Sequence, residues 1–281
     1  MSLNLSKGVW YMIYASFAFS LMNVCIKYIP HIPPIEIVLF RSVVSLVISL
    51  FFLLNQRVPI WGNNKKVLFL RGFTGAIALT LFFMLLQQIP LAAATSMQYM
   101  APIFTAVLGI FIVKEKVAKK QFLYFGLSLL GIFVIQGFDT RISLFHLLLG
   151  LIASIFTGLA YNFIRKLKTS EHPLVIIFYF PLVTIPFAAI YAYFNWVNPI
   201  GWDWLILIIV GLLTQVAQYF MTKSYQTEEL SKVSIIQYVG IIYALGFGYF
   251  IFGETYNWIT YIGMILVFSG VILNLWNKRN T

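Results

Sequence analysis

"SLMNVCIKY" (residues 20–28) and "LAYNFIRKL" (residues 159–167) each place an asparagine four residues before a lysine. Positions 162 and 23 differ by 139, and so do 166 and 27. Held without gaps, the same offset lays Pro34 on Pro173, Gly72 on Gly211, Gln87 on Gln226, Gln98 and Tyr99 on Gln237 and Tyr238, Glu115 on Glu254, and Gly131 on Gly270. Apolar sequence matches leucines by chance but rarely matches Asn, Lys, Gln and Glu in one register. The chain therefore reads as two related halves, 1–138 and 139–281.

Apolar residues make up 61% of the 281 positions and charged residues 10%, with a mean hydropathy of +0.90. A soluble domain has no interior large enough for that composition, which marks an integral membrane protein. A hydrocarbon core of about 30 Å needs roughly 20 apolar helical residues to cross it. Ten such runs are predicted, near 8–29, 34–54, 67–87, 91–113, 121–137, 143–164, 173–194, 202–222, 230–252 and 257–276. The first is too long for a secretory leader and lacks a small-residue cleavage site. Five spans per half is an odd number, so the second half enters the membrane from the opposite side. The expected fold is all-α, with ten transmembrane helices arranged as two inverted five-helix repeats around a central cavity.

Of the 19 Lys and Arg residues, all but Lys27, Arg41 and Arg141 fall on one side of this topology, Arg71 being counted among them. That bias predicts an inner-membrane protein with both termini cytoplasmic. It also accounts for the formal charge of +11 without a nucleic-acid partner. No loop is long enough to fold alone, so function must reside among the helices. Cys25 is the one cysteine and offers no intramolecular disulfide.

Polar residues inside apolar spans are costly unless they meet a partner or a wet cavity. Gln215, Gln218, Tyr219 and Thr222 share one face of the eighth span by their i, i+3, i+4, i+7 spacing. Thr95, Gln98 and Tyr99 do so on the fourth, Ser234, Gln237 and Tyr238 on the ninth, and Ser16, Ser20, Asn23 and Lys27 on the first. Asn162 repeats Asn23 on the sixth. Converging stripes of this kind predict a central cavity. The alternative is interhelical hydrogen bonding without one. Arg41, in "EIVLFRSVVSLVIS", lies roughly 10 Å inside the second span at 1.5 Å per residue. Its repeat counterpart is Phe180, so symmetry does not demand it, and a guanidinium suits carboxylate or phosphate recognition. A structural pair with Glu36 or a snorkelling arginine are the other readings.

The repeat also pairs charges at the two faces. Lys27 with Glu254 would close the outer gate and Lys166 with Glu115 the inner one. The same lysines could be interface snorkellers and the glutamates helix N-terminal residues. Small residues at Gly150, Ser154 and Gly158 predict close helix packing. Pro181 and Pro186 predict a kink or break in the seventh span. The fifth and tenth spans lack polar stripes and are placed at the periphery or at a homodimer contact. No Walker A sequence is present, and His31, His146 and His172 sit in predicted loops. No catalytic residue, metal site or cofactor is predicted, and the partners are a small-molecule substrate and the bilayer. A membrane-embedded enzyme, a non-transport assembly factor and a channel are the rival classes.

"PIFTAVLGIFIVKEK" followed by "FLYFGLSLLGIFVI", and "GYFIFGE" followed by "YIGMILVFSGVIL", together resemble the EamA-like branch of the drug/metabolite transporter superfamily. The resemblance covers essentially the whole chain. "IEIVLFRS" with "NVCIKY" is also similar to the S-adenosylmethionine carriers of intracellular bacteria and related organic-anion carriers, with Lys27, Glu36 and Arg41 at matching positions. The resemblance implies a secondary carrier for small organic metabolites. On this reading Asn23, Arg41, Gln98, Tyr99, Asn162, Gln215, Gln218, Tyr219, Gln237 and Tyr238 bind a carboxylate-bearing substrate, an amino acid, amino-acid derivative or organic anion, and alternating access moves it.

Overall fold

The computed structural model describes residues 6–89, 94, 97, 98, 100–136, 143–253 and 258–277. These residues form helices and no strands: α1 (Lys7–Lys27), α2 (Pro34–Asn55), α3 (Lys65–Gln88), α4 (Ala101–Ile112), α5 (Lys119–Gln136), α6 (Leu144–Lys166), α7 (Pro173–Asn195), α8 (Asp203–Thr227), α9 (Leu230–Ile236), α10 (Val239–Phe252) and α11 (Trp258–Asn277). Seven stretches of the described chain are long and apolar enough to cross a membrane: α1, α2, α3, α6, α7, α8 and the α9–α10 pair. The protein is a multi-pass membrane protein.

Local chemistry sets the helix limits. Pro34 and Pro173 start α2 and α7 at the position where a missing N–H leaves no helical bond unmade. Asn64 and Ser143 cap α3 and α6 with side-chain oxygens. His172 caps α7 through Nδ1, which accepts from the Leu174 N–H at 3.3 Å. Burial, and then nearby Lys223, pushes this imidazole below its ordinary range and keeps it a neutral acceptor. Helix α7 runs unbroken through Pro181 and Pro186, so the expected break there is absent. The predicted 230–252 span is instead divided at Gln237–Tyr238. There Tyr238 N–H bonds Ile235 O and Gly240 N–H bonds Gln237 O, each three residues back.

Helix contacts repeat under the 139-residue offset. Contacts of α1 with α8, α2 with α8 and α4 with α6 become those of α6 with α3, α7 with α3 and α10 with α1. The pairs α2–α7 and α5–α11 map onto themselves. Lys114 (φ 57°) and Gly253 (φ 63°) also differ by 139 and share the left-handed conformation that ends α4 and α10.

Lipid tails are as apolar as leucine, so small residues and polar ties hold such helices together. A Cβ on Gly158 would stand 3.0 Å from backbone atoms of Phe104 and Thr105, and one on Gly72 2.9 Å from Tyr179 O. Ser154 Oγ donates to Met97 O at 2.9 Å. Between α5 and α11, Gly270 packs directly on Ser128.

The loops at 56–64, 113–118 and 167–172 share one end of the bundle, here the basic end. Its fastening is Glu171, which is 7% exposed and whose Oε1 accepts from the N–H groups of Asn63 and Asn64, both at 2.6 Å. Gly62 (φ 60°) must be glycine, because a Cβ would meet Glu171 Oε2 at 2.6 Å. Glu171→Ala leaves both N–H groups without their acceptor and is expected to lower stability by about 2 kcal/mol. Thermal unfolding in detergent checks this, with Glu171→Gln losing less; an unchanged midpoint for the alanine variant would contradict it.

Candidate functional site

A cavity of about 110 Å³ lies among α1, α3, α6 and α8, enough for several waters. Its polar wall is Ser16, Asn23, Arg71, Gln98, Thr157, Tyr161, Gln218 and Gln237, and its apolar wall includes Met22, Leu79, Phe82 and Phe180. Arg71 is 2% exposed. Its Nη2 donates to Gln218 Oε1 at 2.9 Å and its guanidinium lies over Phe180, 4.9 Å from the ring centroid. Nε of Arg71 has no hydrogen-bond partner among the described residues, and the described ion pairs include no carboxylate for it. Asn23 Oδ1 and Gln98 Oε1 are likewise buried without partners. Arg71, Asn23 and Gln98 thus each bring to the cavity wall a side chain with a buried polar atom that no described residue satisfies.

Gly75 makes the placement of Arg71 sterically feasible. A Cβ there would stand 2.6 Å from Arg71 Nη1 and 2.9 Å from the Phe180 ring. Because the guanidinium is the flexible partner, Gly75→Ala is expected to displace it, weakening ligand binding about tenfold with a small change in stability. Ligand titration beside thermal unfolding separates the two effects; full affinity in the variant would contradict the placement.

Of the residues singled out from sequence, Asn23, Gln98, Gln218 and Gln237 meet at this cavity. Arg41 does not line it. This residue is fully buried, one side-chain layer behind Met22 and Phe180, with Nη1 at 4.0 Å from Met22 Sδ and its guanidinium 5.5 Å from the Phe180 centroid. Nor is it paired with Glu36, whose Oε2 accepts from Val197 N–H at 3.0 Å. Gln215 ties α8 to α2 through Ser45 (2.6 Å) and Ser49 (2.9 Å). Asn162 donates to Thr105 O and Gly158 O at 3.0 and 2.8 Å, joining α6 to α4. Tyr219 stacks edge-on against Phe220 outside the cavity wall. Tyr238 is fully buried in the core at the α9–α10 break. Tyr99 lies outside the described residues, as does Glu254.

Two expectations need correction. Arg71, counted with the basic residues of the membrane face, is buried and forms part of the cavity. Its signal was its company: "RGFTG" puts glycines beside a charged residue four positions inside a predicted span. Glu115 is bound not by Lys166, which is exposed, but by Arg165 Nε at 2.5 Å. The second carboxylate oxygen of Glu115 accepts from Leu230 N–H at 3.0 Å, at the start of α9. Arg165 Nη1 also donates to Tyr225 O and Gln226 O, at 3.3 and 3.4 Å, near the end of α8. This ion pair therefore bolts the ends of α4, α6, α8 and α9 together between the cavity and the basic end. Lys27, at the opposite end, lies 4.8 Å from the Phe252 ring centroid.

An all-helical membrane bundle enclosing a polar cavity with a guanidinium in its wall has the architecture of a solute transporter. The sequence profile of the EamA-like transporter family matches residues 6–137 and again residues 144–276, and the chain belongs to that family. It is 27% identical over 266 residues to a pseudopaline exporter of Pseudomonas aeruginosa, covering 94% of each chain. It is 27% identical over 290 residues to solute carrier family 35 member G1 of Mus musculus, covering 96% of this chain and 79% of that one. Identity to the S-adenosylmethionine uptake transporter of Rickettsia prowazekii is 20% over 282 residues, covering 98% and 94%. A solved crystal structure shares the fold with a TM-score of 0.83 at 14% identity, over 97% of this chain and 98% of its own. The protein is a transporter of the drug/metabolite superfamily and not an enzyme.

Proposed function

We propose that this transporter is a secondary carrier that moves a small carboxylate-bearing metabolite across the inner membrane by alternating access. Arg71 holds the carboxylate, and Asn23 and Gln98 accept hydrogen bonds from the same molecule. The observation that carries this reading is a buried guanidinium in the cavity wall with no carboxylate partner among the described residues. A charge in that setting is stabilised by an anion arriving from outside the protein.

Ten helices in two inverted repeats, 1–138 and 139–281, complete the proposal. The helix contacts that recur under the 139-residue offset support it, as do the shared left-handed residues at Lys114 and Gly253. In this reading the basic end faces the cytoplasm together with both termini, and the Arg165–Glu115 pair is the inner gate. Lys27 and Glu254 form the outer one. The test is a screen of purified protein for ligand-induced thermal stabilisation by amino acids, dicarboxylates, nucleosides and sugar phosphates. Saturable stabilisation confined to carboxylate-bearing compounds supports the reading. A response confined to uncharged compounds would contradict it.

A further inference from the structure

Arg41 has no task in the site just described, yet it is a fully buried cation on a membrane-spanning helix. Among the described residues its Nε and Nη2 have no hydrogen-bond partner, and neither does the buried hydroxyl of neighbouring Ser42. What it touches is aromatic or thioether: Phe83 at 5.6 Å and Phe180 at 5.5 Å from the ring centroids, and Met22 Sδ at 4.0 Å. Ring faces attract a guanidinium but do not replace the hydrogen bonds it leaves in water. The described ion pairs offer it no carboxylate either.

Phe180 links this orphan to the cavity. The same ring carries Arg71 at 4.9 Å, so one aromatic side chain separates two uncompensated guanidiniums. Phe180 and Met22 both line the cavity, and both also touch Arg41. Methionine is unbranched and changes rotamer readily, and among the described residues the one other polar contact of Met22 is from Thr214 Oγ1 to its sulfur at 3.2 Å. Its displacement would expose Nη1 of Arg41 and enlarge the cavity on that side.

We infer that the transported molecule carries two anionic groups on a short chain, the first held by Arg71 and the second by Arg41 after Met22 moves aside. This rests on the carboxylate reading of the cavity and extends it to a dianion. Neutralising both cations at once is what a dicarboxylate or a carboxylate with a phosphonate would do, and a monoanion would leave one of them buried and unpaired.

The test is thermal stabilisation of the purified full chain by glutarate, adipate and 3-phosphonopropionate, beside the monomethyl esters of the two dicarboxylates. Wild type should half-saturate with a dianion at a concentration at least tenfold below that for the matching monoester. Arg41→Met, which suits a site built of rings and a thioether, should keep the monoester response and bring that ratio close to one. Arg41→Lys should keep part of it. The phosphonate and dicarboxylate arms then distinguish the second anionic group. Equal dianion and monoester responses, both dependent on Arg71, overturn the Arg41 site and leave the cavity reading standing. An unchanged ratio in Arg41→Met assigns Arg41 a packing role and overturns the inference. No Arg71-dependent response to any of these compounds would overturn both.

Discussion

Arg71→Gln is expected to remove most ligand-induced stabilisation at the concentration that half-saturates wild type. A hydrogen bond to a charged group contributes about 1.5–3 kcal/mol, which corresponds to roughly a 10- to 150-fold loss of affinity. Fold stability should hold or rise, because a buried cation without an anionic partner is replaced by a neutral amide. The glutamine retains a donor for Gln218 and can still pack on Phe180. Arg71→Lys should recover part of the affinity, since it keeps the charge but loses the planar fork that meets a carboxylate through two nitrogens. Titrations of the three proteins check this ordering. Equal affinity in wild type and Arg71→Gln would remove Arg71 from the site.

The second large effect concerns the bolt. Glu115→Gln removes the anion from Arg165, whose side chain is 9% exposed, and weakens the acceptor for Leu230 N–H. Loss of such a pair is expected to destabilise the closed basic end by about 2–3 kcal/mol. Thr157 lines the cavity on the same helix as Arg165. With Cys25 replaced by alanine, a cysteine at position 157 should resist an impermeant maleimide applied from the basic side and react at least tenfold faster when Glu115→Gln is added. Exchanging the charges, Glu115→Arg with Arg165→Glu, should restore part of the protection. Lys166→Ala should leave protection unchanged. If Lys166→Ala opens the site as much as Glu115→Gln, the gate is the pair read from the repeat and not the one seen in the structure.

That contrast shows where sequence reasoning stops. The 139-residue offset was legible because Asn, Lys, Gln and Glu seldom coincide by chance, and outside the fourth and ninth spans the described helices fall within a few residues of the predicted ones. Asn23, Gln98, Gln218 and Gln237 were legible for a related reason: amides inside apolar helices need partners. Adjacent helical residues, however, point about 100° apart. The repeat aligned Lys166 with Lys27, while the face turned toward Glu115 is that of Arg165, whose repeat counterpart is the apolar Ile26. Gln215 and Gln218 share a stripe by spacing, yet about 60° of rotation is enough to turn the first toward Ser45 and Ser49 on α2 and leave the second in the cavity. Arg71 was grouped with Lys65 and Lys66 because charge near a span end usually marks the interface. Gly72 and Gly75 allow α7 to approach it closely, and that approach buries the guanidinium.

In the proposed cycle the Arg71 cavity is a carrier site reached from each side of the membrane in turn. Counterflow in proteoliposomes tests it most directly: uptake of a labelled ligand from the carboxylate series, with and without the same compound unlabelled inside. A carrier should show saturable uptake accelerated several-fold by internal ligand, and both features should be lost in Arg71→Gln. Uptake that rises linearly with concentration, ignores internal ligand and persists in Arg71→Gln would contradict it.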